Sequence, residues 1–179
     1  MPDIITTNPN EVLNIPEKDC PMMVFSDNIR SFFSWGIKLH QHGVYNHFMW
    51  LVRPGILATQ DTTFKEVPIE KYLEGNHRLK FIRGKWDKAT RIAIVLLLKE
   101  QLNLPFIQRL YDPLQIVGKF LHLNWLQIPG HSRICSDFGY ILGRLDQEYD
   151  LKHPSPTEVN LYTKAHPNKY EVYLRFIPD

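Results

Sequence analysis

Cys135 and His47 are the residues of this chain whose types could together perform nucleophilic chemistry. Cys135 stands in Arg133-Ile134-Cys135-Ser136-Asp137-Phe138-Gly139-Tyr140, where Phe138, Ile141, Leu142 and Leu145 recur at spacings of three and four. That period predicts a helix over 135–145 with the thiol at its N-terminus. His47 heads an apolar, strand-like run in Val44-Tyr45-Asn46-His47-Phe48-Met49-Trp50. A thiol with an ordinary pKa of about 8.5 becomes a usable nucleophile when a helix N-terminus and an imidazolium lower that value. Histidine, with a pKa of about 6.5, can take the thiol proton and return it to a leaving group.

Such a pair needs a third polar group to hold the imidazole and donors to hold an oxyanion. Pro54-Gly55 predicts a turn between strands 46–52 and 56–60, so the orienting residue is expected on the second strand. Gln60 is the first choice, with Thr59 behind it. The backbone at the start of the cysteine helix, at Cys135 and Ser136, is expected to bind the oxyanion with help from Tyr45 or Ser132.

Competing roles are weaker. Cys20 lies between Asp19 and Pro21, where a carboxylate raises a thiol pKa, and is expected to be structural. His131 is a rival base in the Pro129-Gly130 loop. His40, His42 and His47 could form a three-histidine metal site, but no acidic or cysteine ligand stands at a convincing spacing, so neither metal nor cofactor is expected.

The elements that must position these residues alternate in type. Strands are predicted at 22–26, 46–52, 56–60, 64–67, 79–83 and 170–177, and helices at about 27–39, 68–73, 88–102, 114–122 and 135–145, with a small helix begun by Thr157 and Glu158. Asp87 is the expected cap of the 88–102 helix, whose block Ile92-Ala93-Ile94-Val95-Leu96-Leu97-Leu98 predicts burial on more than one side. Residues 1–17 carry Pro2, Pro9 and Pro16 and are expected to be an extended arm that docks on the body or on an assembly partner. Residues 18–179 then form a single domain of the α+β class.

Composition limits the partners. The chain has 179 residues, 44% of them hydrophobic, and a formal charge of +2 from 21 basic and 19 acidic side chains. Nucleic acid is not expected, because phosphate binding needs a concentrated basic face. Two cysteines are too few for a disulfide scaffold. No apolar run approaches the ~20 residues of a membrane span, and the N-terminus lacks a signal-peptide pattern. A soluble protein, cytoplasmic or virion-associated, is the expectation.

Asn46-His47-Phe48 before an apolar strand and Ile134-Cys135-Ser136-Asp137-Phe138 opening a helix resemble the motifs of the circularly permuted NlpC-type papain-like cysteine peptidases, the YiiX-like proteins. In that branch, as here, histidine precedes cysteine. Asp19 to Ser26, Val67 to Leu73 and Ser155-Pro156-Thr157-Glu158-Val159 resemble further segments in the same order, so the likeness spans roughly residues 18 to 176. It departs at Cys20-Pro21-Met22, where the family has a glycine-aspartate step, and at Gln60, aligned with a position often acidic in YiiX-like proteins.

The resemblance implies a papain-like antiparallel half-barrel packed against the cysteine-bearing helix. It also implies a peptidase or amidase acting through a thioester on peptide or amide substrates, with cell-wall peptides first. The alternative expectation is a structural or interaction protein of a virion or envelope assembly that keeps the fold with little or no catalysis.

Overall fold

A computed structural model describes residues 4–28, 44–75, 77–110, 140–145, 151 and 154–178. Its centre is a seven-stranded sheet: β1 (Ile4–Thr6), β2 (Met22–Asn28), β3 (His47–Arg53), β4 (Ile56–Gln60), β5 (Phe64–Pro68), β6 (His77–Gly84) and β7 (Tyr170–Phe176). The spatial order is β1-β7-β6-β2-β3-β4-β5. All neighbours are antiparallel except β1 with β7. The helices are α1 (Pro9–Leu13), α2 (Glu70–Leu73), α3 (Lys88–Leu102), α4 (Tyr140–Leu145) and α5 (Pro156–Ala165). The class is therefore mixed α+β.

Strand alternation builds two apolar layers, one on each side of the sheet. On one side Phe25, Phe48, Trp50 and Phe64 pack with Ile94 and Leu98 of α3, Ile141 and Leu142 of α4, and Val159 of α5. On the other, Met22, Val24, Met49, Leu51 and Leu57 pack with Val12 of α1 and Tyr72 of α2. Each layer excludes water from one sheet face, contributing about 25 cal/mol per Å² of apolar surface removed.

Local signals explain the boundaries. Asp87 caps α3 by accepting the Thr90 amide at 2.7 Å. At α5 the cap is Ser155, not Thr157: its hydroxyl accepts the Glu158 amide while the Glu158 carboxylate accepts the Ser155 amide. That reciprocal pair satisfies two helix-end donors. Gly55 takes φ 71° between β3 and β4, a left-handed conformation that glycine adopts without steric cost.

Three expectations differ from the structure. The N-terminal segment docks on the body, one of its two expected courses, but is not extended throughout: β1 pairs with β7, α1 forms behind an Asn8 cap, and Val12 and Ile15 are buried in the core. Just after that segment, Asp19 is tied to Arg83 of β6 at 2.6 Å. The apolar block of α3 is buried on one side only, through Ile94 and Leu98, while Ile92 and Leu96 are exposed. Asp27 and Asn28, expected to cap a helix running to about 39, instead continue β2; the rest of that helix, the helix expected at 114–122 and the start of the 135–145 helix lie outside the described residues.

Candidate functional site

β3 and β4 are adjacent, and their register decides which side chains meet His47. Beside the turn Arg53 pairs with Ile56, but one step on Leu51 pairs with Leu57, so Val52 is an extra residue in β3. A bulge of this kind shifts the pairing by one, and a one-residue shift changes which side chains share a face. An unbulged hairpin would set Gln60 opposite Met49 and on the His47 face. With the bulge, Thr59 and the position of Asp61 fall on that face.

The contacts agree. His47 Nε2 is 2.7 Å from Thr59 Oγ1 and 3.5 Å from Asp61 Oδ1. The Thr59 hydroxyl points to Asp61 Oδ1 at 3.4 Å, Tyr72 OH donates to the same oxygen at 2.9 Å, and Lys71 Nζ donates to Asp61 Oδ2 at 2.6 Å. With Asp61 Oδ1 near both Nε2 and the Thr59 hydroxyl, the arrangement suits the tautomer that carries its proton on Nε2 and its basic lone pair on Nδ1. The Tyr72 ring stacks on the imidazole at 6.3 Å between centroids. His47 is 19% exposed, so it is held firmly yet still reaches the surface.

Burial alone would raise the Asp61 pKa. Hydrogen bonds from His47, Lys71 and Tyr72 outweigh it and hold the carboxyl well below the usual range. The group beside His47 is thus an ionised carboxylate, able to balance charge on the ring.

A second histidine adjoins this cluster. His77 Nδ1 lies 2.8 Å from Ser26 Oγ, and its ring meets the edge of Tyr72 at 5.1 Å. Burial, and then the proximity of His47, push its pKa down, so the ring is neutral at physiological pH.

The residues singled out from sequence are placed differently. Gln60 is buried on the far side of β4, where its amide donates to the Arg109 carbonyl at 2.8 Å and its Oε1 has no partner among the described residues. It does not orient His47; the second choice, Thr59, contacts the ring, and Asp61 stands behind. Tyr45 packs on Phe25 at 5.7 Å with Lys80 Nζ 6.0 Å from its ring centroid, on the opposite sheet face from His47.

Cys20 is buried, and burial followed by Asp19 and Glu17 pushes its thiol up to about 12. Cys135, Ser132, Ser136, His131, His40 and His42 lie outside the described residues. Among the described residues no group of three or more His, Cys, Asp or Glu side chains could hold a metal ion. No described helix is long and apolar enough to cross a membrane.

Asp61, Lys71, Tyr72, Ser26 and His77 were not anticipated as site residues. The available signal was the strand-end sequence Gln60-Asp61: an acidic residue at the position facing His47 once the bulge is allowed. In comparisons with known proteins, no family model matches the chain, and no curated protein matches it in sequence.

Proposed function

We propose that this protein is a thiol-dependent hydrolase of the peptidase or amidase type, with a papain-like arrangement in which Cys135 and His47 work as a pair. The observation that carries the reading is the hold on His47 Nε2 by Thr59, with Asp61 behind. It fixes the tautomer and directs proton transfer to Nδ1.

In the reaction the Cys135 thiol gives its proton to His47 Nδ1, and the thiolate sulfur attacks the carbonyl carbon of the substrate. As the tetrahedral adduct collapses, the scissile C–N bond breaks and the imidazolium protonates the leaving amine, leaving a thioester. Water then loses a proton to His47 and attacks the thioester, releasing the acid and restoring the thiol. Backbone N–H groups near Ser136, aided by Ser132, are the proposed oxyanion donors. Peptidoglycan stem peptides are the first substrate class to test.

Mass spectrometry of cell-wall peptides incubated with the protein tests the proposal. Wild type should release a new amine and carboxylate, and Cys135→Ser and His47→Ala should lower the rate by about 10³-fold or more. Equal product from all three proteins would overturn it.

One observation favours a second reading, a structural or interaction module of a virion or envelope assembly. Ile141 and Leu142 of α4 pack on the face bearing Phe48 and Trp50, whereas the His47 ring lies on the other. As the helix expected there, the six steps from Cys135 to Ile141 rise about 9 Å, so the hydrolase reading requires the N-terminal end of that helix to reach the end of the sheet where His47 opens β3.

A further inference from the structure

Away from the His47 cluster, a groove of about 880 Å³ runs between α3 and the strand and N-terminal segments beside it. Its walls include Cys20, Val52, Trp86, Val95, Leu98 and Leu102, so most of its surface is apolar. Ile92 and Leu96 line it too and stand 51% and 60% exposed, one helical turn apart on α3. Side chains of this size at that spacing form a ridge for a partner to cover.

Charge selects the partner. Five basic side chains, Lys18, Arg53, Lys88, Arg91 and Lys99, line the groove against two acidic ones, Glu17 and Glu66, and Glu66 is already paired with Arg53 at 2.8 Å. Arg91 donates to the backbone carbonyls of Lys18, Cys20 and Trp86. Among the described residues, Lys18, Lys88, Arg91 and Lys99 have no carboxylate within ion-pair distance.

These cations are distributed along the groove. Lys88 and Lys99 sit near opposite ends of α3, about 16 Å apart along the axis at ~1.5 Å per residue. A fatty acid with one anionic head satisfies one end and leaves the other. Nucleic acid has no use for the apolar floor. An amphipathic helix with an apolar stripe and acidic flanks satisfies both floor and rim.

We infer that the α3 groove is a docking site for an acidic amphipathic helix of a partner protein. The partner's apolar positions fill the space over Val95 and Leu98 and cover Ile92 and Leu96, and its carboxylates face Lys18, Lys88, Arg91 and Lys99. The site is independent of the proposed hydrolase chemistry, so either can fail without the other.

The test is selection from a displayed library of helical peptides as long as α3, randomised at all positions, against the full chain. Enriched peptides should be acidic, with apolar residues at i, i+3, i+4 and i+7. The best of them, labelled for fluorescence anisotropy, should bind at least about tenfold more weakly to Ile92→Asp/Leu96→Asp. Both positions are more than half exposed, so an unchanged melting temperature certifies that variant's fold. Lys88→Glu/Lys99→Glu should lose the preference for acidic peptides. No enrichment, enrichment of basic or unpatterned peptides, binding unaffected by Ile92→Asp/Leu96→Asp, or binding of oleate in place of any peptide would each overturn the inference.

Discussion

On one face of the β3–β4 pair, Phe48, Trp50 and Ala58 pack against α3 and α4; on the other, one residue away along each strand, His47 and Thr59 meet Asp61 and Tyr72. The first face is dry and closely filled, with Trp50 inaccessible to solvent. The second carries a charge-assisted network that opens to the surface at His47. Two adjacent side chains thus enter different physical regimes, and the assignment depends on backbone register more than on residue type. Val52, the extra residue of β3, sets that register.

Deleting Val52 should break the contrast altogether. Without the bulge, either His47 and Met49 or Thr59 and Asp61 must exchange faces, placing polar groups in the apolar layer. We expect loss of the cooperative melting transition; a variant that melts normally would show that the bulge does not set the faces. Next in size, Trp50→Ala should cost about 3–5 kcal/mol of stability by leaving a cavity in the dry layer, measured by urea denaturation, with the His47 network intact.

Asp61→Asn tests the polar face. It removes the charge shared by Lys71, Tyr72 and His47 and should cost about 1–3 kcal/mol while lowering any turnover. Its pH dependence has a definite sign. The folded Asp61 carboxyl is held low, so its contribution is present above the unfolded value of about 3.9 and is lost as pH falls through the acid range.

His77 is also held low. The unfolded chain therefore binds the proton first, below about pH 6.5, and stability declines from there downward. In thermal melts across pH, His77→Gln should remove the upper part of this acid sensitivity and Asp61→Asn the lower part. The smallest effect is expected at Gln60. Gln60→Met removes a carbonyl with no partner among the described residues along with the bond to Arg109, so stability should change by no more than about 1 kcal/mol and turnover not at all.

Much of the sheet was readable in the residues. Apolar, aromatic and β-branched runs marked β2, β3, β4 and β6, alternation marked β7, and Pro54-Gly55 marked the turn, because strands buried on both faces read as continuous apolar runs. The bulge was not readable. Nothing in Leu51-Val52-Arg53 distinguishes a bulged strand from a regular one, and the extra residue moved the orienting position from Gln60 to Thr59 and Asp61.

The N-terminal segment misled for a related reason. Its prolines and polar residues suit an extended arm, while Val12 and Ile15 suffice to anchor it once β7 supplies an edge for β1. In α3 the continuous apolar run gave no sign of which side would remain uncovered. His77 drew no notice because its partners, Ser26 and Tyr72, come from other elements.

The proposed pairing of His47 with Cys135 is tested most directly by the pH profile of alkylation at each cysteine, followed by peptide mass spectrometry with iodoacetamide. Cys20, its thiol pushed up to about 12, should stay unlabelled through neutral pH. Cys135 should react with a midpoint well below the ordinary thiol value of about 8.5, and His47→Ala should return that midpoint to the ordinary range. A Cys135 profile already at the ordinary value in wild type, and unmoved by His47→Ala, would contradict the account.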